Sequence, residues 1–106
     1  HMRNVLPSSS PLRKTINTWL ADNCFGDYYT RNGLSNAQRE MITFCYIASQ
    51  GGCEPQLKAH TSANFRNGNS KEKLYAVAEA IMPYIGYPRT LNAMAAIDET
   101  AEKEGK

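Results

Sequence analysis

The stretch Gly52-Cys53-Glu54-Pro55-Gln56-Leu57-Lys58-Ala59-His60 sets a thiol and an imidazole seven residues apart at the start of an expected helix. Positions i and i+7 return to one helical face after two turns. The positive end of a helix dipole favours a thiolate, and histidine exchanges protons near neutral pH, so Cys53 and His60 form a candidate active site for thiol or acid-base chemistry. The competing role is structural, since a free cysteine is among the most buried residue types and packs as a small hydrophobe.

What must position these groups is a small domain. The chain has 106 residues and 42% hydrophobic content, enough for one domain with a modest core, and a domain of this size gains much from oligomerisation. A formal charge of +2 comes from interspersed signs rather than blocks, so charge gives no reason to expect nucleic acid or a membrane surface as partner. Cys24, Cys45 and Cys53 form an odd set without zinc-type pairs, and Cys45 lies inside an apolar run, which fits reduced thiols in a cytoplasmic protein. No apolar run approaches the roughly 20 residues that span a bilayer. His1-Met2 reads as a tag remnant and residues 1–10 as a loose arm; the domain is expected over 11–100, followed by a frayed tail at 101–106.

The apolar spacing is helical throughout, and no period-two strand or internal repeat is visible. Ser10 and Pro11 open a first helix carrying Leu12, Ile16, Trp19 and Leu20 to about Asn23, with Trp19 expected in the core. Cys24 to Gly33 reads as a partly helical connection. Ser35-Asn36-Ala37-Gln38 has the form of a capping box, and the run Met41 to Ala48 is apolar nearly all round, as in a helix buried among neighbours and stopped by Gly51-Gly52. A third helix is expected from about Glu54 to Asn67. A fourth is capped by Ser70 and kinked or ended by Pro83, and a last one carries Leu91, Met94, Ala95 and Ile97 before charged residues from Asp98 onward. The expected class is an all-α domain of about five helices.

Several ordered motifs carry a resemblance. Leu34-Ser35-Asn36-Ala37-Gln38-Arg39-Glu40, the Gly51 to His60 stretch, Asn67-Gly68, and Pro83-Tyr84-Ile85-Gly86-Tyr87-Pro88-Arg89-Thr90-Leu91-Asn92 look like the carboxymuconolactone decarboxylase family, within the broader alkyl hydroperoxidase-like group. The resemblance covers about residues 25 to 100. It implies a compact helical domain assembling into homotrimers or homohexamers, with active sites near subunit contacts, no metal or organic cofactor, and a small molecule as substrate.

Two activities compete within that group. Peroxidase members use a Cys-x-x-Cys pair with a downstream histidine and an upstream glutamate; here Cys53, His60 and Glu40 match, while Gln56 stands at the second cysteine position. Without that resolving thiol the local disulfide cycle cannot close, although a one-cysteine cycle through sulfenic acid remains open. Glu54 opposes a thiolate at Cys53 through like charge, and Lys58 and the helix end favour it. Decarboxylase members lack the cysteines and use histidine and acidic groups on a lactone carboxylate. A further histidine common after their Gly-x-Pro turn is replaced here, the nearest residue being Asn92, which hydrogen-bonds but transfers no proton. Arg89 is a candidate for a substrate carboxylate, and Tyr84, with Gln56, for the pocket wall, against surface and packing roles. Glu40, as a buried carboxyl near His60, would hold the imidazole's tautomer or share its proton. The first expectation is a decarboxylase-like enzyme on a carboxylated or lactone-type molecule; the alternatives are a thiol-dependent antioxidant peroxidase and a non-catalytic ligand-binding domain.

Overall fold

The computed structural model describes residues 10–106, so the expected arm lies outside the described residues apart from Ser10. Among the described residues, five α-helices and one π-helical stretch form two units, residues 10–34 and 35–106, and there is no strand.

In the first unit, Ser10 caps helix α1 (Pro11–Trp19), its hydroxyl accepting the Arg13 N–H at 3.1 Å, with Pro11 in the first turn. The helix does not end near Asn23. It widens into a π-helical stretch, Leu20–Tyr28, closed by the Tyr29 N–H on the Cys24 carbonyl at 3.2 Å. Neither segment buries a residue, and Trp19 is 63% exposed, contrary to its expected core place. Two consecutive nine-residue helical segments present no opposing layer within their own unit.

In the second unit the capping box forms as expected. Ser35 Oγ accepts from the Gln38 N–H at 3.1 Å while Gln38 Oε1 accepts from the Ser35 N–H at 2.8 Å, starting α2 (Asn36–Gln50). α2 is not buried all round: Glu40, Phe44 and Ala48, four apart, make the buried stripe, whereas Ile42 and Tyr46 are exposed. Cys45, next to that stripe, is only half-buried, and burial pushes its thiol above its ordinary value. α3 (Glu54–Arg66), α4 (Lys71–Ile85) and α5 (Tyr87–Glu104) pack with α2 around Phe44, Leu57, Phe65, Leu74, Ala93 and Ile97.

Pro83 sits inside α4, within its last turn, and the helix ends two residues later at Ile85, with Gly86 as its cap. Gly51 (φ 73°, ψ 161°) and Gly86 (φ 87°, ψ 167°) end α2 and α4 in the same backbone region, one that is essentially restricted to glycine. α5 runs past Asp98 to Glu104, farther than the charge pattern suggests. Thr100 and Ala101 are buried against the core, and Gly105 closes the helix in the left-handed conformation with the Lys106 N–H on the Ala101 carbonyl at 2.8 Å.

Candidate active site

α2 and α3 bring together Glu40 and His60, twenty residues apart in sequence. Imidazole Nδ1 lies 2.8 Å from carboxylate Oε2. Glu40 lies in the first turn or so of α2 on its buried stripe, with its side chain 7% exposed, and His60 sits midway along α3 at 22%. A carboxylate accepts only, so the proton between them belongs to Nδ1, and Nε2 is left without a partner among the described residues. A buried carboxylate orienting an imidazole in this way fixes its tautomer and stabilises the imidazolium when it forms. The unit is therefore built to give or take a proton at Nε2.

Behind the pair lies a buried amide chain that the sequence reading did not single out. Asn64, one turn after His60 and fully buried, donates from Nδ2 to the carbonyls of both members of the pair: His60 O at 2.7 Å and Glu40 O at 3.0 Å. Its Oδ1 accepts from Asn69 Nδ2 at 2.8 Å, and that same nitrogen donates to the Ala37 carbonyl at 2.9 Å. Asn69 is placed by the end of α3. The Gly68 N–H bonds Phe65 O and the Asn69 N–H bonds Asn64 O at 2.9 Å, a Schellman arrangement that needs Gly68 at φ 91°. The available signal was an asparagine at i+4 from His60 on the face that also carries Leu57 and Thr61.

Cys53 is not in the helix with His60. It is the N-cap residue of α3, with φ −132° and ψ 49°, its carbonyl accepting the Leu57 N–H at 2.9 Å. Its thiol donates to the Ile47 carbonyl at 3.4 Å, a bond that only the protonated form makes, and it has no hydrogen bond to His60. The same carbonyl accepts the Gly51 N–H at 3.3 Å, so Cys53 helps close the C-terminal end of α2. Lys58, expected to favour a thiolate, pairs instead with Glu99 on α5 at 2.6 Å.

Of the remaining candidates, Gln56, Arg89 and Asn92 are exposed, and Tyr84 is 88% exposed rather than packed in the core. Arg89 lies over the turn that leads into Cys53: a Cβ built on Gly51 would stand 2.8 Å from its Nε. It has no ion pair or hydrogen bond among the described residues. Cys24, Cys45 and Cys53 form no disulfide with one another, and no group of three potential metal ligands occurs among the described residues.

The fold and site define an all-helical domain that carries a carboxylate-oriented imidazole between two of its core helices. The chain belongs to the carboxymuconolactone decarboxylase family, whose pattern matches residues 15–99. It is similar to a 4-carboxymuconolactone decarboxylase from Acinetobacter baylyi, with 24% identity over 105 residues, covering 99% of this chain and 78% of that protein. No helix is long and apolar enough to cross a membrane among the described residues.

Proposed function

We propose that this protein is a decarboxylase-like enzyme that uses the Glu40-His60 pair for cofactor-free acid-base chemistry on a small carboxylated lactone. The observation that carries the reading is the 2.8 Å contact from Nδ1 to a buried carboxylate, which leaves Nε2 as the working nitrogen. Family membership and the decarboxylase named among its relatives support the same direction. In the proposed step the carbon-carbon bond to the substrate carboxylate breaks, its electron pair passes into the conjugated lactone, and carbon dioxide leaves. His60, as imidazolium, returns one proton to carbon from Nε2 and is recharged from solvent, while Glu40 holds the ring and balances its charge. Arg89, lying over Gly51 without a protein counter-ion among the described residues, is assigned to a substrate carboxylate, with Gln56, Tyr84 and Asn92 at the rim of the site.

A second reading has one observation in its favour. Cys53 stands at the positive end of α3, which no side-chain cap occupies, and this is where a peroxidatic thiolate is stabilised. The bond from its thiol to Ile47 O and the pairing of Lys58 with Glu99 weigh against it. The exposed Ile42, Tyr46, Tyr84, Tyr87 and Leu91 further support self-association as a trimer or hexamer.

The two readings separate in one comparison. The purified protein is given 4-carboxymuconolactone, with carbon dioxide release followed, and separately substoichiometric hydrogen peroxide, with Cys53 followed by mass spectrometry. Carbon dioxide release with slow Cys53 oxidation supports the lyase. Rapid, selective sulfenic acid formation at Cys53 without decarboxylation overturns it in favour of the peroxidase, and neither activity points to a binding domain.

A further inference from the structure

We propose that Asn64 and Asn69 are positioning residues, a buried amide relay that holds the backbones of Glu40 and His60 at a fixed separation and so sets the tautomer of the His60 ring. The proposal rests on the acid-base reading of the pair only for its kinetic arm; its structural arm stands on the geometry alone.

The argument starts from cost. A primary amide buried away from water must satisfy two donor hydrogens and its carbonyl oxygen, or its burial is unfavourable. Asn64 is wholly buried and Asn69 is 3% exposed, and an aliphatic side chain would fill either place more simply. Here every amide hydrogen of the two side chains has an acceptor: Glu40 O and His60 O for Asn64, Asn64 Oδ1 and Ala37 O for Asn69. Buried networks whose donors are all satisfied in this way rigidify the groups they connect.

Direction follows from the anchor. Asn69 is fixed twice to Asn64, through its backbone N–H on Asn64 O at 2.9 Å and its side chain on Asn64 Oδ1 at 2.8 Å. Because Oδ1 faces a donor, Nδ2 must face the two carbonyls. One nitrogen thereby ties α2 and α3 together at the level of the two residues whose side chains meet, and a sliding of either helix stretches the Nδ1 to Oε2 contact and the amide bonds together. Core packing through Phe44 and Leu57 resists separation of the helices but is non-directional and does not fix their register as a hydrogen bond does.

Replacement of Asn64 by leucine removes the tie between the two carbonyls without leaving either of them unpaired. Glu40 O and His60 O keep their helical N–H partners, while one Asn69 amide hydrogen loses its acceptor and the bulkier leucine must be accommodated, so this variant should be less stable than the wild type. The readout is the two-dimensional 15N-1H spectrum of the histidine ring in labelled protein, with His60 assigned by its loss in His60→Gln. The wild type is expected to show the Nδ1–H tautomer. Asn64→Leu, and more weakly Asn69→Ala, should raise the Nε2–H share while the circular dichroism spectrum stays helical. Asn69→Ala carries the test should the leucine variant not fold. An unchanged ring spectrum in the folded variants overturns the proposal. On a turned-over substrate, Asn64→Leu should lower kcat by about tenfold or more with KM little changed, as for other residues that orient a working histidine. A tautomer shift in a protein that shows no decarboxylation would leave the positioning role intact and remove only the catalytic reading.

Discussion

His60 and Glu40 face each other across the α2-α3 contact with Nδ1 2.8 Å from Oε2, and the carboxylate is the more deeply buried of the two. The asymmetry decides the roles. Glu40 is nearly shut away from solvent and His60 is partly exposed, so in the proposed mechanism the carboxylate orients the ring and the imidazole is the member open to substrate.

Glu40→Gln should keep a hydrogen bond to Nδ1–H, since the amide oxygen also accepts, yet lose the charge that stabilises the imidazolium. The expected result is a fall in kcat of about 10- to 100-fold with a folded, helical protein. Steady-state kinetics beside circular dichroism check it, and full turnover would remove Glu40 from the mechanism.

Gly51 and Gly52 offer a controlled comparison for Arg89. Alanine at either position forces a side chain into positive φ, at a cost of about 1–3 kcal/mol, so both variants should lose stability in urea melts. Only at Gly51 does the added Cβ meet Arg89, at 2.8 Å from Nε; at Gly52 nothing lies within 4 Å. If Arg89 binds the substrate carboxylate, Gly51→Ala should raise KM and Gly52→Ala should not. Equal KM values would separate Arg89 from substrate.

Cys45 gives the protein a stability limit in alkali. Burial raises its folded-state value above the ordinary 9.0, so above about pH 9 the unfolded chain loses this proton while the folded one retains it. The contribution is fully present below that pH and is lost as pH rises through it. Urea melts between neutral and alkaline pH should show falling stability at the alkaline end, with a shallower slope in Cys45→Ala.

The core and the capping box set the scale for folding. Phe44, with no exposed surface, should cost about 3–5 kcal/mol on truncation to alanine, and Ser35→Ala about 1 kcal/mol through loss of the α2 cap. Denaturant midpoints of the two variants measure both.

Local chemistry made much of this fold legible. Ser35 and Gln38 announced the start of α2, Gly51 its end, and Ser70 the start of α4, because caps and glycines act within a few residues. Features that depend on how helices meet were not readable in the same way. Glu40 and His60 were linked through family resemblance, while their contact depends on the crossing of α2 and α3. The extent of α5 was misjudged because its charged residues share the helix with Thr100 and Ala101, which face the core. The sequence places Asn64 on the mixed face of the third helix, but its tie to Asn69 and to the carbonyls of Glu40 and His60 depends on how the helices meet and has no local signal. Spacing sets Cys53 seven residues before His60, while the hydrogen bond of its thiol goes to the Ile47 carbonyl, a partner on another helix that no local pattern indicates.

The most direct measurement of the central claim is turnover of 4-carboxymuconolactone by the wild type, His60→Gln and Cys53→Ser, followed as carbon dioxide release. The account predicts a loss of about 100-fold or more in His60→Gln and near-wild-type turnover in Cys53→Ser. Retained turnover in His60→Gln, or its abolition in Cys53→Ser with the fold intact, would contradict it.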